Sequence, residues 1–195
     1  MVRRFGTALV GLTRFIPGER RPYPPGQHGP KHFRIRLSDY GLRLLEKQKL
    51  LYYYGLRENQ LDRLVHRAIG KTGPTGEILL AFLERRLDNV VFRLGFAPTI
   101  PAARQIVRHG HIIVNGRRVS MPAYEVHVGD RIEASLKGRQ HPLIAEGAQR
   151  GPELTVPTFL ERDKDGFGGR VTGEPARADT PIDIDEKLVV EYYAA

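Results

Sequence analysis

Pro98-Thr99-Ile100-Pro101-Ala102-Ala103-Arg104-Gln105-Ile106-Val107-Arg108-His109-Gly110-His111-Ile112-Ile113-Val114-Asn115-Gly116-Arg117-Arg118-Val119 is the stretch on which the reading of this chain turns. Thr99 can cap a helix, and Pro101 falls in its first turn, where a missing N–H costs nothing. Ala102, Ala103, Ile106 and Val107 form the inner face of that helix, and Gly110 stops it. His111–Val114 then reads as a strand. Asn115-Gly116 is the strongest short hairpin signal, because both turn positions need positive φ, and Arg117-Arg118-Val119-Ser120 returns. Further on, Arg131-Ile132-Glu133-Ala134 alternates like another strand. Upstream, Leu80, Leu83, Leu87, Val90 or Val91, and Leu94 make an apolar stripe on a helix closed by Gly95. The expected unit is two short helices on a small twisted antiparallel sheet. Arg104 and Arg108, four apart, share a helix face near Gln105 and His109, and the hairpin is expected to bring Arg117 and Arg118 to the same side. Four arginines on rigid elements make a preorganised phosphate clamp. No acid lies between Asp88 and Glu125, so pairing inside this segment is not expected to neutralise them.

The flanks differ in character. Residues 1–37 set Arg3, Arg4, Arg14, Arg20, Arg21, Lys31, Arg34 and Arg36 against a single acid, Glu19, among many prolines and glycines. Such a segment cannot bury enough apolar surface to order itself, so it is either a loose basic tail or an arm ordered by a polyanion. Ser38 is expected to cap a helix over 39–54 closed by Gly55, with Leu42, Leu45, Lys49 and Tyr52 at helical spacing. Its other faces carry Arg43, Lys47 and Lys49 beside Tyr53 and Tyr54, and these tyrosines are either core or base-stacking surfaces. A second helix is expected over 58–69, with Leu61, Leu64, Val65 and Ala68 inward. Gly70-Lys71-Thr72 ends it as a turn. It is not a nucleotide loop, since Val65 stands where that loop needs glycine. Residues 135–181 show weak periodicity and are expected to be irregular or made of short elements. Asp183-x-x-Glu186 resembles a capping box opening a terminal element through Leu188-Val189-Val190 to Tyr192-Tyr193, docked on the helical part.

The charge follows the same division. The 195 residues carry a formal net charge of +9, but residues 1–120 hold 22 Lys+Arg against 8 Asp+Glu, a net of +14, and residues 121–195 hold 9 against 14, a net of −5. A localised positive field points to nucleic acid or an anionic membrane surface. No apolar run approaches a membrane span, and Ala8-Leu9-Val10 is too short for an export signal. The absence of cysteine excludes disulfides, thiolate zinc sites and cysteine nucleophiles. His28 with His32, and His109 with His111, lack the further ligands a metal site needs, so neither metal nor cofactor is expected.

Leu83-Glu84-Arg85-Arg86-Leu87-Asp88-Asn89-Val90-Val91-Phe92-Arg93-Leu94-Gly95, followed by Ala102-Ala103-Arg104-Gln105, His109-Gly110-His111 and Val114-Asn115-Gly116, resembles the RNA-binding domain named after the fourth protein of the small ribosomal subunit. Arg21-Pro22-Tyr23-Pro24-Pro25-Gly26-Gln27-His28-Gly29, Leu37-Ser38-Asp39-Tyr40-Gly41-Leu42, the run from Glu46 to Leu56, and Leu188-Val189-Val190-Glu191-Tyr192-Tyr193 resemble the remainder of that ribosomal protein family. The likeness covers nearly the whole chain in order. Phe96-Ala97-Pro98-Thr99-Ile100-Pro101 and Gly11-Leu12-Thr13 look most like the cyanobacterial and plastid branch. Some members carry a cysteine zinc knuckle near the N-terminus, which this chain lacks.

The resemblance implies an α+β protein with an extended basic arm over 1–37. A helical domain is expected from 38–82 and 150–195, closed by the C-terminal segment, and the small RNA-binding domain is expected over 83–149. It implies direct binding of small-subunit ribosomal RNA, a part in starting assembly of the subunit body, and influence on decoding accuracy. Ribosomal proteins five and three would be neighbours, in a bacterial cytoplasmic ribosome or a plastid one; no membrane or small-molecule substrate is implied. The expected RNA contacts are Arg20, Arg21, Tyr23, Gln27, His28, Lys31, Arg34 and Arg36 on the arm. Arg43, Lys47 and Lys49 would act on the helix, and Arg86, Arg104, Gln105, Arg108, His109, Asn115, Arg117 and Arg118 on the small domain. Two other classes stay open at this point. An RNA-modifying enzyme would need a catalytic domain, and the carboxylates Asp163, Asp165, Asp183, Asp185 and Glu186 sit among turns and a cap, with no nucleophile–base pair. A DNA-binding helix-turn-helix is suited less well than RNA by the hairpin and the arginine arm.

Overall fold

The computed structural model describes residues 2–6, 9, 11–12, 23–30 and 37–194. The expected arm contacts Arg20, Arg21, Lys31, Arg34 and Arg36 lie outside the described residues. The chain forms two compact units, Met1–Gly76 with Ile182–Ala195, and Glu77–Pro181. Together they make a mixed α/β protein with one small antiparallel sheet.

The first unit contains α1 (Val2–Phe5), α2 (Asp39–Tyr54), α3 (Glu58–Ile69) and the last helix of the chain, Glu186–Ala194. The Ser38 side chain accepts a hydrogen bond from the Gly41 N–H at 3.2 Å, and Gly55 closes α2 in the left-handed region at φ 57°. The buried side of α2 is not the Leu42–Leu45–Lys49–Tyr52 stripe read from spacing. Leu42 and Tyr52 are exposed, while Leu50, Leu51, Tyr53 and Tyr54 are buried. Lys49 is the buried member of that stripe, and Lys47, off it, also goes inside with a partner of its own, so charge misreports orientation here. Tyr53 and Tyr54 are core, their rings meeting edge-to-face at 4.9 Å. Helix α3 buries Leu61, Val65 and Ala68, and Leu64 is only half-buried. Each fully buried aliphatic side chain contributes roughly 1.5–3 kcal/mol.

The terminal helix packs on α2. Its cap is Asp185 rather than Asp183: the Asp185 carboxylate accepts from the N–H of Lys187 and of Leu188. Asp183 instead offers its backbone carbonyl to Lys49 Nζ at 2.8 Å. Gly76 lies so close to Glu186 that a Cβ there would collide with its side chain.

The second unit begins within α4 (Thr75–Glu84) and continues with α5 (Leu87–Arg93) and α6 (Ile100–Arg108). The apolar stripe from Leu80 to Leu94 is therefore carried by two helices and not one. Between them Arg86 adopts extended dihedrals, φ −68° and ψ 135°, and forms a bridge with Glu125. The Leu87 N–H donates to the Tyr124 carbonyl and the Val126 N–H to the Arg85 carbonyl, so a segment far away in sequence takes the helix's hydrogen bonds. The Thr99 hydroxyl caps α6 by accepting from the Ala102 N–H at 3.3 Å.

The strands are β1 (Ile112–Val114), β2 (Arg117–Arg118), β3 (Arg131–Ala134), β4 (Leu160–Arg162) and β5 (Gly168–Val171), ordered β2-β1-β3-β5-β4 and antiparallel throughout. Asn115 and Gly116 make the β1–β2 turn with φ 49° and 77°. Residues 135–181 are more regular than their composition suggests. They provide α7 (Leu136–Arg139), α8 (Pro142–Arg150) and the two strands that complete the sheet. Pro181 ends this unit, so only Ile182–Ala195 joins the helical unit, against the expectation that 150–195 would. The reason is the sheet itself: β5 pairs with β3, which draws 160–171 onto it. Arg93 binds the Asp179 carbonyl and faces buried Glu84 at 3.7 Å, while Thr158 donates to the Asp179 carboxylate at 3.0 Å. With α8, these contacts occupy the interior that the weakly periodic segment supplies.

Candidate nucleic-acid interface

In the first unit the basic residues of α2 turn inward or pair. Lys47, 4% exposed, donates to both Glu58 carboxylate oxygens at 2.9 and 3.0 Å and lies 4.2 Å from the Tyr192 ring centre. Burial works against its proton, but hydrogen bonds with Glu58 and Tyr192 outweigh it and raise its pKa. The Glu58 pKa is lowered despite burial, through hydrogen bonds from Lys47 and Tyr193. Lys49, also buried, binds Glu46 at 2.9 Å besides the Asp183 carbonyl. Expected to face RNA, both lysines are instead buried and paired within the unit. Arg43 is half-buried and bonded to Glu191 at 3.0 Å, a surface pair that solvent screens. On the arm, Arg3 donates to the Tyr23 carbonyl at 2.9 Å and stacks 5.5 Å from its ring centre, whereas Gln27 and His28 are exposed.

In the second unit the expected clamp separates into a buried part and an exposed part. Asp88, 1% exposed, accepts two hydrogen bonds from Arg86 and two from Arg104, the closest at 2.7 Å. Arg86, expected to contact RNA, is buried and paired internally. Arg104 is half-buried and oriented by the same carboxylate. The acid that opposes it stands at the edge of the acid-free segment, and only the fold brings it there. Asn115 is likewise committed: its amide donates to Asp130 at 2.7 Å and its carbonyl accepts from the Arg131 N–H at 2.9 Å. Its role is to hold the hairpin turn against β3.

Gln105, Arg108, His109, Arg117 and Arg118 are exposed. The side chains of Arg108 and Arg117 form no hydrogen bond or ion pair among the described residues. Arg118 donates to the His109 carbonyl at 2.9 Å, and its guanidinium lies over Gly110, where any Cβ would collide with it. Gly110, at φ 70°, thus both ends α6 and seats an arginine. Arg117 pairs across from Val114 and Arg118 from Ile113, so the two leave opposite faces of the hairpin. Arg118 turns toward the end of α6, and Arg117 does not.

Two basic groups near that end, His141 and Lys137, escaped the sequence reading, which set His111 beside His109 alone. The His111 ring centre is 6.3 Å from that of His109 and 5.0 Å from that of His141, and Arg118 and Lys137 are close enough to repel its proton. Burial first, then these neighbouring cations, lower the His111 pKa. His111 and His141 are 30 positions apart in sequence, so no local pattern joins them. The basic run Lys137-Gly138-Arg139 was the one signal available.

Comparison with known proteins agrees with this architecture. Residues 1–84 match the ribosomal protein S4/S9 N-terminal domain and residues 85–132 match the S4 domain. The small ribosomal subunit protein uS4 of Thermosynechococcus vestitus is 51% identical, covering 100% of this chain and 94% of the relative. That of Trichormus variabilis is 49% identical over 100% and 94%. That of Persephonella marina is 46% identical over 98% and 94%. Near-complete coverage of both chains, with both domain types in order, establishes the family: this chain belongs to the small-subunit ribosomal protein uS4 family.

Proposed function

We propose that the chain is a structural, non-catalytic protein that binds small-subunit ribosomal RNA directly. The observation that carries this reading is the exposed cationic edge of α6, β1 and β2. There Arg108 and Arg118 stand on ordered backbone beside His109 and Gln105, with Arg117 exposed on the other face of the hairpin, while the neighbouring Asp88 is fully engaged with Arg86 and Arg104. RNA is held by phosphate and shape, since the A-form major groove is too narrow for side chains to read. Arg104 takes part as an oriented guanidinium, and the arm, through Gln27, His28 and its arginines, adds further phosphate contacts. Membership of the uS4 family supports early action in assembly of the subunit body, an influence on decoding accuracy, and ribosomal proteins five and three as neighbours. The site is the ribosome of a bacterial cytoplasm or a plastid.

A role as an RNA-modifying enzyme finds no support. Residues 135–181 supply α7, α8 and two strands of the same sheet and form no separate catalytic domain. Among the described residues no helix is long and apolar enough to cross a membrane. Filter binding to a small-subunit ribosomal RNA fragment tests the reading. Six or more phosphate contacts predict a loss of roughly 10³-fold or more between about 50 and 200 mM salt, and an unchanged affinity would sink it.

A further inference from the structure

We propose that His109, His111, His141, Arg118 and Lys137 form one anion subsite that takes a backbone phosphodiester of the bound RNA, with His111 gaining a proton from solvent as the phosphate seats. The inference rests on the RNA-binding reading and adds to it a site and a pH dependence.

The geometry is that of an anion site. Four separate stretches contribute: the end of α6 gives His109, the start of β1 gives His111, β2 gives Arg118, and α7 with the turn after it gives Lys137 and His141. The two outer imidazoles flank the central one at 6.3 and 5.0 Å between ring centres. The guanidinium is fixed in place by the His109 carbonyl and by the absence of a side chain at Gly110. His141 Nδ1 is shielded from solvent and lacks a hydrogen-bond partner among the described residues, a cost that a ligand oxygen or an ordering of the pocket would relieve. Arg139, on the same short helix as Lys137, faces Asp165 at 3.9 Å and the Phe167 ring, and so is directed elsewhere. A metal is the wrong ligand, since among the described residues no three His, Asp or Glu side chains can hold one. Like charges gathered around a half-buried imidazole ask for an anion.

The sign of the pH effect follows. His111 has a pKa below its ordinary 6.5 in the free protein, because of burial and then of the surrounding His141, His109, Arg118 and Lys137. In the free protein its protonation is disfavoured relative to the unfolded chain, so stability falls as pH drops below about 6.5. A phosphate removes that penalty, and binding therefore strengthens as pH falls.

The test is RNA filter binding by the full chain at pH 7.5 and pH 5.5, at constant ionic strength. Wild type is expected to bind about tenfold more tightly at pH 5.5, the equivalent of one pKa unit of coupling. His111→Gln with His141→Gln is expected to lose that dependence, whereas His66→Gln with His127→Gln, at exposed positions elsewhere, is expected to keep it. NMR on wild type reads the site directly, so the outcome stands even if the double variant misfolds. On adding RNA near neutral pH, the His111 ring carbons move toward imidazolium positions, and inorganic phosphate at matched concentration produces a smaller shift. RNA binding that is equally tight at both pH values, with the His111 signals unmoved, overturns the subsite but leaves the RNA reading standing. A His111 shift produced by inorganic phosphate and not by RNA also overturns it. Failure to bind RNA at either pH overturns both.

Discussion

On α2, Lys47 lies between Glu58 and the Tyr192 ring, and Lys49 between Glu46 and the Asp183 carbonyl. On α6 and β2, Arg108 and Arg117 face solvent with no such partners among the described residues. The two regions look alike in composition: basic residues, helical or strand spacing, polar neighbours. They differ in what the chain brings back to them. The acid-rich C-terminal segment folds onto α2 and supplies Asp183, Glu191 and the tyrosines of the last helix, so that positive charge is spent internally. Around α6 the buried acid Asp88 satisfies two arginines and leaves the others to a partner. A positive field therefore becomes a binding surface where long-range contacts leave it uncancelled. Much of the cancellation comes from acids of the basic part itself, Glu46, Glu58 and Asp88, with Glu191, Glu125 and Glu174 of the tail pairing Arg43 and Arg85.

That contrast can be broken at its buried end first. Asp88→Ala strands Arg86 inside the second unit without a counter-charge, and a loss of about 3–5 kcal/mol in urea unfolding is expected. A loss below 1 kcal/mol would show that Asp88 does not hold the arginines as described. Next, Lys47→Met removes the Glu58 bonds and the Tyr192 contact. It should cost about 1–3 kcal/mol of stability while leaving the RNA affinity of the folded protein unchanged. A selective loss of RNA affinity would return Lys47 to the interface.

Arg108→Ala and Arg117→Ala should do the reverse. Each is expected to lower the slope of log affinity against log salt by about 1, with stability changes within about 0.5 kcal/mol. The smallest effect concerns alkaline pH. Burial, and then the Glu58 carboxylate accepting its hydroxyl at 2.7 Å, raise the Tyr193 pKa far above its ordinary 10.0. Because the fold keeps a proton that the unfolded chain gives up, stability should fall as pH rises past about 10. Lys47, its pKa raised above 10.5, adds to the same trend. Tyr193→Phe should flatten that limb, measured as the shift in urea midpoint between pH 9 and pH 11; an unaltered limb would remove Tyr193 from the account.

Legibility in sequence followed the range of the interactions. Helix α2 over 39–54, α3 over 58–69, the Thr99 cap, the Asn-Gly turn and the strand at 131–134 all rest on contacts within a few residues, and each was readable. The break at Arg85-Arg86 was not, because the hydrogen bonds that cause it come from 122–126. Strands β4 and β5 were missed for a similar reason: their glycines and charges carry little periodicity, and pairing with β3 is what makes them strands. Among the expected contacts, Arg108, His109, Arg117 and Arg118 are exposed. Lys47, Lys49, Arg86 and Asn115 are taken by Glu58, Asp183, Asp88 and Asp130, partners at up to 134 residues' separation.

By itself the sequence determined the class of element at each strongly patterned stretch, the sign and location of the charge excess, and the family. All of these depend on local spacing or on motif order. Only the tertiary structure decided which cations remain available, because that depends on where distant carboxylates and carbonyls come to lie. It also decided that His109, His111 and His141 stand together. Coulomb energies and hydrogen bonds act through space over a few ångströms, and adjacency in space is what the chain's linear order does not contain.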